Sequence, residues 1–229
     1  MRYTTILFDA DDTLLDFKKA EFFALTDVLS KLGLPSTDEY ISAYSEINDS
    51  LWKLLEVRGI TKEELKVRRF VLFCERFSFE VDAEQMAEMY VESLSNQSIM
   101  LEGAEELVKD LYGKCKLYII TNGIEYIQKR RLKNSPIMKY FDGVFVSEQM
   151  GAEKPSLSYF EAVSREIPEF NKSRAIVIGD SLTSDIKGGI NFGVDTCWYN
   201  PKGKALPENM TITYVARDFD EIRSIILGE

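Results

Sequence analysis

Short runs of apolar, β-branched and aromatic residues recur along this chain, and most are followed by a segment with helical spacing. That alternation restricts the fold more than any other feature. The runs lie at 5–8, 117–120, 144–146, 175–178 and 196–199, with a sixth candidate at 214–216. Near-continuous apolar runs of this length suit strands buried on both faces of a parallel sheet. Helical patterns between and after them lie near 103–113, 124–134, 156–166, 183–192 and 218–227. The alternation predicts an α/β fold with a Rossmann-like, doubly wound parallel sheet.

One stretch breaks the rhythm. Between 17 and 96 there is no convincing strand, only helical patterns near 18–32, 38–57, 62–77 and 83–95. Thr37, Thr61 and Asp82 stand where N-caps are expected, and Thr61-Lys62-Glu63-Glu64 has the form of a capping box. The expected organisation is an α/β core formed by 1–16 and 97–229, with an all-helical domain, 17–96, inserted after the first strand.

Composition narrows the chemistry. The chain carries 28 basic and 38 acidic residues, a net charge of −10, which disfavours nonspecific contact with nucleic acid or anionic membrane. Among its 229 residues there is no histidine. Histidine-based triads, metal sites and phosphohistidine chemistry are therefore excluded, and any catalysis falls to carboxylates and lysine. Cys74, Cys115 and Cys197 match neither a zinc spacing nor a disulfide framework and are expected in the core. No apolar run approaches the ~18–20 residues that span a bilayer. The N-terminus passes from a short apolar run straight into acidic residues, so a cytosolic protein is expected.

Ligands of open parallel sheets bind beyond the carboxyl ends of the strands. The first strand runs into Asp9-Ala10-Asp11-Asp12-Thr13, and the second into Thr121-Asn122-Gly123. The fourth runs into Gly179-Asp180, with Asp185 five residues further on, and the loop after the third carries Lys154-Pro155. Each alone reads more simply as a solvated turn, a helix cap or a surface lysine. Four in sequence, each at a strand's carboxyl end or in the loop after it, make coincidence a poor explanation.

Together these segments resemble the signature of the haloacid dehalogenase-like hydrolase superfamily. Asp9 to Thr13 resembles its first motif, Thr121 its second, Lys154 its third, and Gly179-Asp180 to Asp185 its fourth. The helical insert falls where that family's first-position cap domain belongs. The resemblance implies Asp9 as a nucleophile forming an aspartyl-phosphate, with Asp11, Thr121 and Lys154 as the other catalytic residues. The residue chemistry agrees. A carboxylate with an ordinary pKa of about 4 is ionised at neutral pH and needs no base. Asp11, two residues on, can protonate a leaving group and then activate water, while Lys154 and Thr121 face the transferring oxygens. An oxygen-only donor set suits Mg²⁺, with Mn²⁺ as a substitute. Asp9 and Asp180 can supply carboxylates. The resemblance adds the Asp11 backbone carbonyl, with Asp185 nearby or acting through water.

Asp11 favours phosphoryl transfer over dehalogenation, because the family's dehalogenases have a non-acidic residue there. Asp12 departs from the commoner Gly of the first motif, but Asp tolerates unusual backbone angles. Asp12, the Thr121-Asn122-Gly123 second motif and the Ser147-Glu148-Gln149-Met150-Gly151…Lys154-Pro155 segment look most like the pyrimidine 5′-nucleotidase branch. That likeness implies a nucleoside monophosphate substrate; separately, a monomer or small homo-oligomer is expected. Asn122 and Gly123 are candidate substrate contacts. Phe17, Phe22, Tyr44 and Trp52 are candidates to stack on a base, against the plainer expectation that aromatics at helical spacing are core. The basic run Gln128-Lys129-Arg130-Arg131-Leu132-Lys133 reads as a solvated helix face. A sugar-phosphate phosphatase or phosphosugar mutase would keep every motif residue. A phosphonatase would need a lysine in the insert, and none of Lys53, Lys62 and Lys66 stands out. A non-catalytic phosphate-binding module should have lost one of Asp9, Asp11, Lys154 or Asp180.

Overall fold

The computed structural model describes residues 2–228. They divide into two compact units, one of residues up to Phe17 together with Ile99 onward, the other of Lys18–Ser98.

The first unit is built on six strands, β1 (Thr5–Asp9), β2 (Lys116–Thr121), β3 (Gly143–Val146), β4 (Ala175–Gly179), β5 (Asp195–Tyr199) and β6 (Tyr214–Ala216). They form one sheet in the order β3-β2-β1-β4-β5-β6, and every pairing is parallel. All five residues of β1 are buried, as both faces of a central parallel strand must be. Alternation along β1 sends Ile6 and Phe8 to one face, where they meet Leu107, Val108, Ile222 and Ile226. Leu7 goes to the other, with Tyr159, Phe160 and Val163. The chain winds from β1 to β2 and β3 on one side and to β4, β5 and β6 on the other. Beside β1, therefore, is the switch point, where connections leave in opposite directions and a crevice opens at the strands' carboxyl ends.

The insert is helical throughout its regular structure: α1 (Phe17–Lys31), α2 (Asp38–Glu56), α3 (Lys62–Phe77) and α4 (Ala83–Ser95). Thr37 accepts from the Tyr40 amide and Asp82 from the Glu84 amide, and Thr61 and Glu64 close a capping box. Leu51, Leu55, Ile60 and Leu65 form one of its clusters, and the rings of Tyr44, Phe70, Phe73 and Tyr90 pack in another group.

The α-helices that follow are α5 (Ala104–Leu111), α6 (Glu125–Asn134), α7 (Ser147–Met150), α8 (Leu157–Glu166), α9 (Lys187–Phe192) and α10 (Phe219–Leu227). Two differences from expectation bear on the site. The single turn α7 had no sequence signal long enough to find. The helix expected at 183–192 begins as a wide π turn, Leu182–Ile186, because the amides of both Asp185 and Ile186 reach the Ser181 carbonyl. All three cysteines are buried and free. Among the described residues no helix is long and apolar enough to cross a membrane.

Candidate active site

Asp9 ends β1, so its carboxylate stands where the switch-point crevice opens. Directly after it the chain reverses tightly. The amides of Leu14 and Leu15 both donate to the Ala10 carbonyl, and Asp12 takes a left-handed φ of 56°. Its carboxylate then accepts from the Phe17 amide at 3.1 Å. Asp is among the few non-glycine residues that hold such an angle, which accounts for its presence where Gly is commoner. Thr13, fully buried, donates to Asp9 Oδ2 at 3.3 Å and accepts from the Asp180 amide at 3.1 Å, linking the ends of β1 and β4.

Lys154 arrives from the loop between α7 and α8. Asn122, just past β2, grips that loop through both ends of its side-chain amide. Its Nδ2 donates to the Lys154 carbonyl at 2.8 Å, and its Oδ1 accepts from the Lys154 amide at 2.9 Å. The lysine side chain is thereby buried, and its ammonium spends three protons on three acceptors. These are Asp9 Oδ1 at 2.6 Å, Asp185 Oδ1 at 2.7 Å and the Ile120 carbonyl at 3.0 Å. The other Asp185 oxygen accepts from the Ser181 amide at 3.1 Å. Gly179 makes room for this carboxylate, since a Cβ there would lie 2.2 Å from Asp185 Oδ2.

One oxygen from each of Asp9, Asp180 and Asp185 falls within 4.8 Å of the others. A single ammonium cannot balance three carboxylates away from water, and the titration behaviour reflects that. Burial, reinforced by the charges of Asp185 and Asp11 and opposed by Lys154, pushes the Asp9 carboxyl up to about 7. Burial and the charges of Asp9, Asp185 and Asp12 push Asp180 up to about 8. Burial works against the Lys154 ammonium, but Asp185 and Asp9 outweigh it and hold the group well above its usual value. Asp9 therefore departs from the ordinary carboxylate pKa on which the sequence reading of an already ionised nucleophile rests. Full ionisation needs further positive charge. The donors are all oxygen, so the cluster fits a hard divalent cation.

A second network surrounds Asp11. Arg131 donates to Asp11 Oδ1 at 2.5 Å, and Gln128 Nε2 donates to Asp11 Oδ2 at 2.9 Å. Gln128 Nε2 also donates to Thr121 Oγ1 at 2.8 Å, and Gln128 Oε1 accepts from Arg131 at 3.0 Å. Arg131 and Gln128 are each only 1% exposed. This corrects the reading of 128–133 as a solvated face. Lys129 and Lys133 are exposed, but Gln128, Arg131 and Leu132 are buried. The missed signal was the stripe Ile124, Ile127, Gln128, Arg131, spaced as i, i+3, i+4 and i+7. Two apolar residues set the buried phase, and two polar ones share it.

Of the expected site residues, Lys154 thus joins Asp9 and Asp185, the acidic cluster adds Asp180, and the second network joins Asp11 to Thr121. Asn122 and Gly123 are bonded within the protein, Asn122 to Lys154 and the Gly123 amide to Thr121 Oγ1 at 3.0 Å. Of the candidate base-stacking aromatics, Tyr44 is enclosed by other rings. Trp52 packs beside Leu51, Leu55 and their neighbours, Phe17 lies under the Arg131 guanidinium, and Phe22 is 41% exposed.

A doubly wound sheet whose switch-point strand ends in a lysine-bound carboxylate beside an acidic cluster is the framework of an enzyme. The family model for haloacid dehalogenase-like hydrolases matches residues 6–199, and the chain belongs to that family. The HAD-hydrolase YfnB of Bacillus subtilis is 37% identical over 225 residues, 98% of this chain and 96% of that protein. Its crystal structure, described as bound to magnesium, matches with a TM-score of 0.93 over 99% of each chain. The pyrimidine 5′-nucleotidase PynA of Streptococcus pneumoniae is 43% identical over 202 residues, 88% of this chain and 85% of that protein. A second pyrimidine 5′-nucleotidase, YjjG of Escherichia coli, is 30% identical over 226 residues, 99% of each.

Proposed function

We propose that this protein is a Mg²⁺-dependent phosphomonoester hydrolase working through an aspartyl-phosphate, and that its substrates are pyrimidine nucleoside monophosphates. The observation that carries the reading is the Lys154–Asp9 bond at the mouth of the sheet, within a cluster short of positive charge. The nucleotide specificity is supported by the likeness to PynA and YjjG over most of the chain. Asp9, Asp180 and Asp185, with the Asp11 backbone carbonyl, would hold the cation. Bound there, a divalent ion supplies positive charge to the carboxylates and the phosphoryl oxygens.

Asp9 attacks phosphorus, and the bond to the ester oxygen breaks as Asp11 gives that oxygen a proton. The alcohol leaves. Asp11 then takes a proton from the water that attacks the aspartyl-phosphate, which releases inorganic phosphate and restores both carboxyl groups. Thr121 donates to a transferring oxygen. Lys154 keeps Asp9 ionised and fixed. Asn122 holds the Lys154 loop and has a second amide proton for substrate, while Gly123 completes the turn beside it. The helical unit acts as the cap that selects the substrate, and the enzyme works on the cytosolic nucleotide pool.

The test is phosphate release from dUMP, dTMP, UMP, AMP, hexose phosphates and p-nitrophenyl phosphate, with Mg²⁺ and with EDTA. Magnesium-dependent preference for the pyrimidine monophosphates is the expected result. Preference for sugar phosphates would retain the chemistry and discard the nucleotidase reading. No release from any of them would sink both.

A further inference from the structure

The geometry points to Gln128 and Arg131 as positioning residues that aim the proton-transfer group and the phosphoryl-binding hydroxyl together. This inference rests on the acid–base reading of Asp11 given above. Arginine only donates and a carboxylate only accepts, so the orientation of the Gln128 amide between them has one consistent solution. Its Oε1 faces Arg131 and its Nε2 faces Asp11. One Arg131 nitrogen supplies both of its protons, to Asp11 Oδ1 and to Gln128 Oε1. Gln128 Nε2 likewise supplies both of its own, to Asp11 Oδ2 and to Thr121 Oγ1. Each Asp11 oxygen is thus fixed by a different donor, which sets both the direction and the tilt of the carboxyl plane.

The same network settles the direction of Thr121. A hydroxyl has two acceptor sites and one proton. Gln128 Nε2 and the Gly123 amide occupy the acceptor sites, at 2.8 and 3.0 Å. What remains is the proton, so Thr121 can only donate, the polarity that a phosphoryl oxygen requires. Gln128 bonds both groups directly, whereas Arg131 bonds Asp11 directly and reaches Thr121 through Gln128. One helix face, presented at i and i+3 of α6, organises two elements of the chemistry, and the two residues are separable by experiment.

The experiment compares kcat/KM for dUMP, whose alkoxide is a poor leaving group, with that for p-nitrophenyl phosphate, whose phenolate needs little protonation. The constant kcat/KM reports steps up to attack by Asp9 on the bound ester. Arg131→Met is expected to lose about 10²-fold on dUMP and less than about 5-fold on the aryl ester, the span of a proton-transfer contribution. Gln128→Glu, close in shape but placing a carboxylate against Asp11, is expected to lose at least 10-fold on both. Thermal melts and Mg²⁺ titration establish that each variant is folded. Should Arg131→Met fail to fold, Arg131→Lys is expected to show the same selective loss on dUMP. Equal losses on the two esters in a folded Arg131 variant, or wild-type rates in both variants, would overturn the inference alone. A wild-type enzyme inactive on both esters with Mg²⁺ would overturn the reading on which it rests.

Discussion

Lys154 Nζ lies 2.6 Å from Asp9 Oδ1 although 145 residues separate them in sequence, and the same ammonium bonds Asp185 at 2.7 Å. Removing the lysine strands two carboxylates away from water. Lys154→Met is therefore expected to destabilise the protein by about 3–5 kcal/mol at pH 8, as for other broken buried pairs. The loss should shrink at pH 5.5, where the Asp9 carboxyl is protonated. Urea denaturation at the two pH values measures it, and a pH-independent loss would contradict the account.

The acidic cluster sets the pH dependence of the wild-type protein. Asp9, at about 7, and Asp180, at about 8, bind protons more tightly folded than unfolded. Between about pH 4 and pH 8 the folded state holds the excess of protons, so stability falls as pH rises through that window. In EDTA the melting temperature is expected to drop steadily from pH 5 to pH 8, by an amount worth a few kcal/mol on the scale of roughly 1.4 kcal/mol per pKa unit. Added Mg²⁺ should stabilise more at pH 8 than at pH 5.5, because it binds the ionised carboxylates. Differential scanning calorimetry with and without the metal decides it.

Asp9→Asn separates catalysis from folding. The amide keeps an oxygen for Lys154 and removes one of the charges that, together with burial, raise Asp180. Phosphate release is expected to fall by at least about 10³-fold, as for loss of a nucleophile, while the EDTA-form melting temperature at pH 8 holds or rises. Turnover within about 10-fold of wild type by the folded variant would remove Asp9 from the nucleophile's role.

Gly179→Ala tests the space beneath Asp185. The added Cβ would overlap an oxygen already held by the Ser181 amide, within a carboxylate also bound by Lys154. A cost of about 1–3 kcal/mol is expected from the overpacking, together with at least tenfold weaker Mg²⁺ binding by isothermal titration calorimetry. Undiminished metal affinity would show that Asp185 has no part in the cation site.

In the helical unit, Tyr44 and Phe22 should behave oppositely. Tyr44→Ala empties a fully buried aromatic cluster and is expected to cost about 3–5 kcal/mol. Phe22→Ala, exposed and next to Phe23, should leave stability within about 0.5 kcal/mol and raise KM for dUMP if its ring meets the base. An unchanged KM would remove Phe22 from substrate recognition.

Much was determined by local chemistry and so could be read from the chain alone. Strand positions followed from unbroken apolar runs such as Ile176–Ile178, because a parallel strand is buried on both faces. The caps at Thr37, Thr61 and Asp82 followed from the need to satisfy helix-end amides within three residues. The polar residues at the strand ends were visible because the carboxyl ends of a parallel sheet are where such residues can serve a ligand.

Tertiary structure decided what depends on long-range burial. A basic run on an acidic chain gives no warning that Arg131 will reach Asp11, 120 residues away, because only the packing of α6 determines which of its charges leave water. The ionisation of Asp9 was likewise hidden. An aspartate's pKa follows from its dielectric surroundings and from the charges that the fold gathers around it. Asp180 and Asp185 come from the segment after β4 and Lys154 from the loop before α8, both far from Asp9 in sequence. Sequence named the chemical groups; the fold set their charge states and directions.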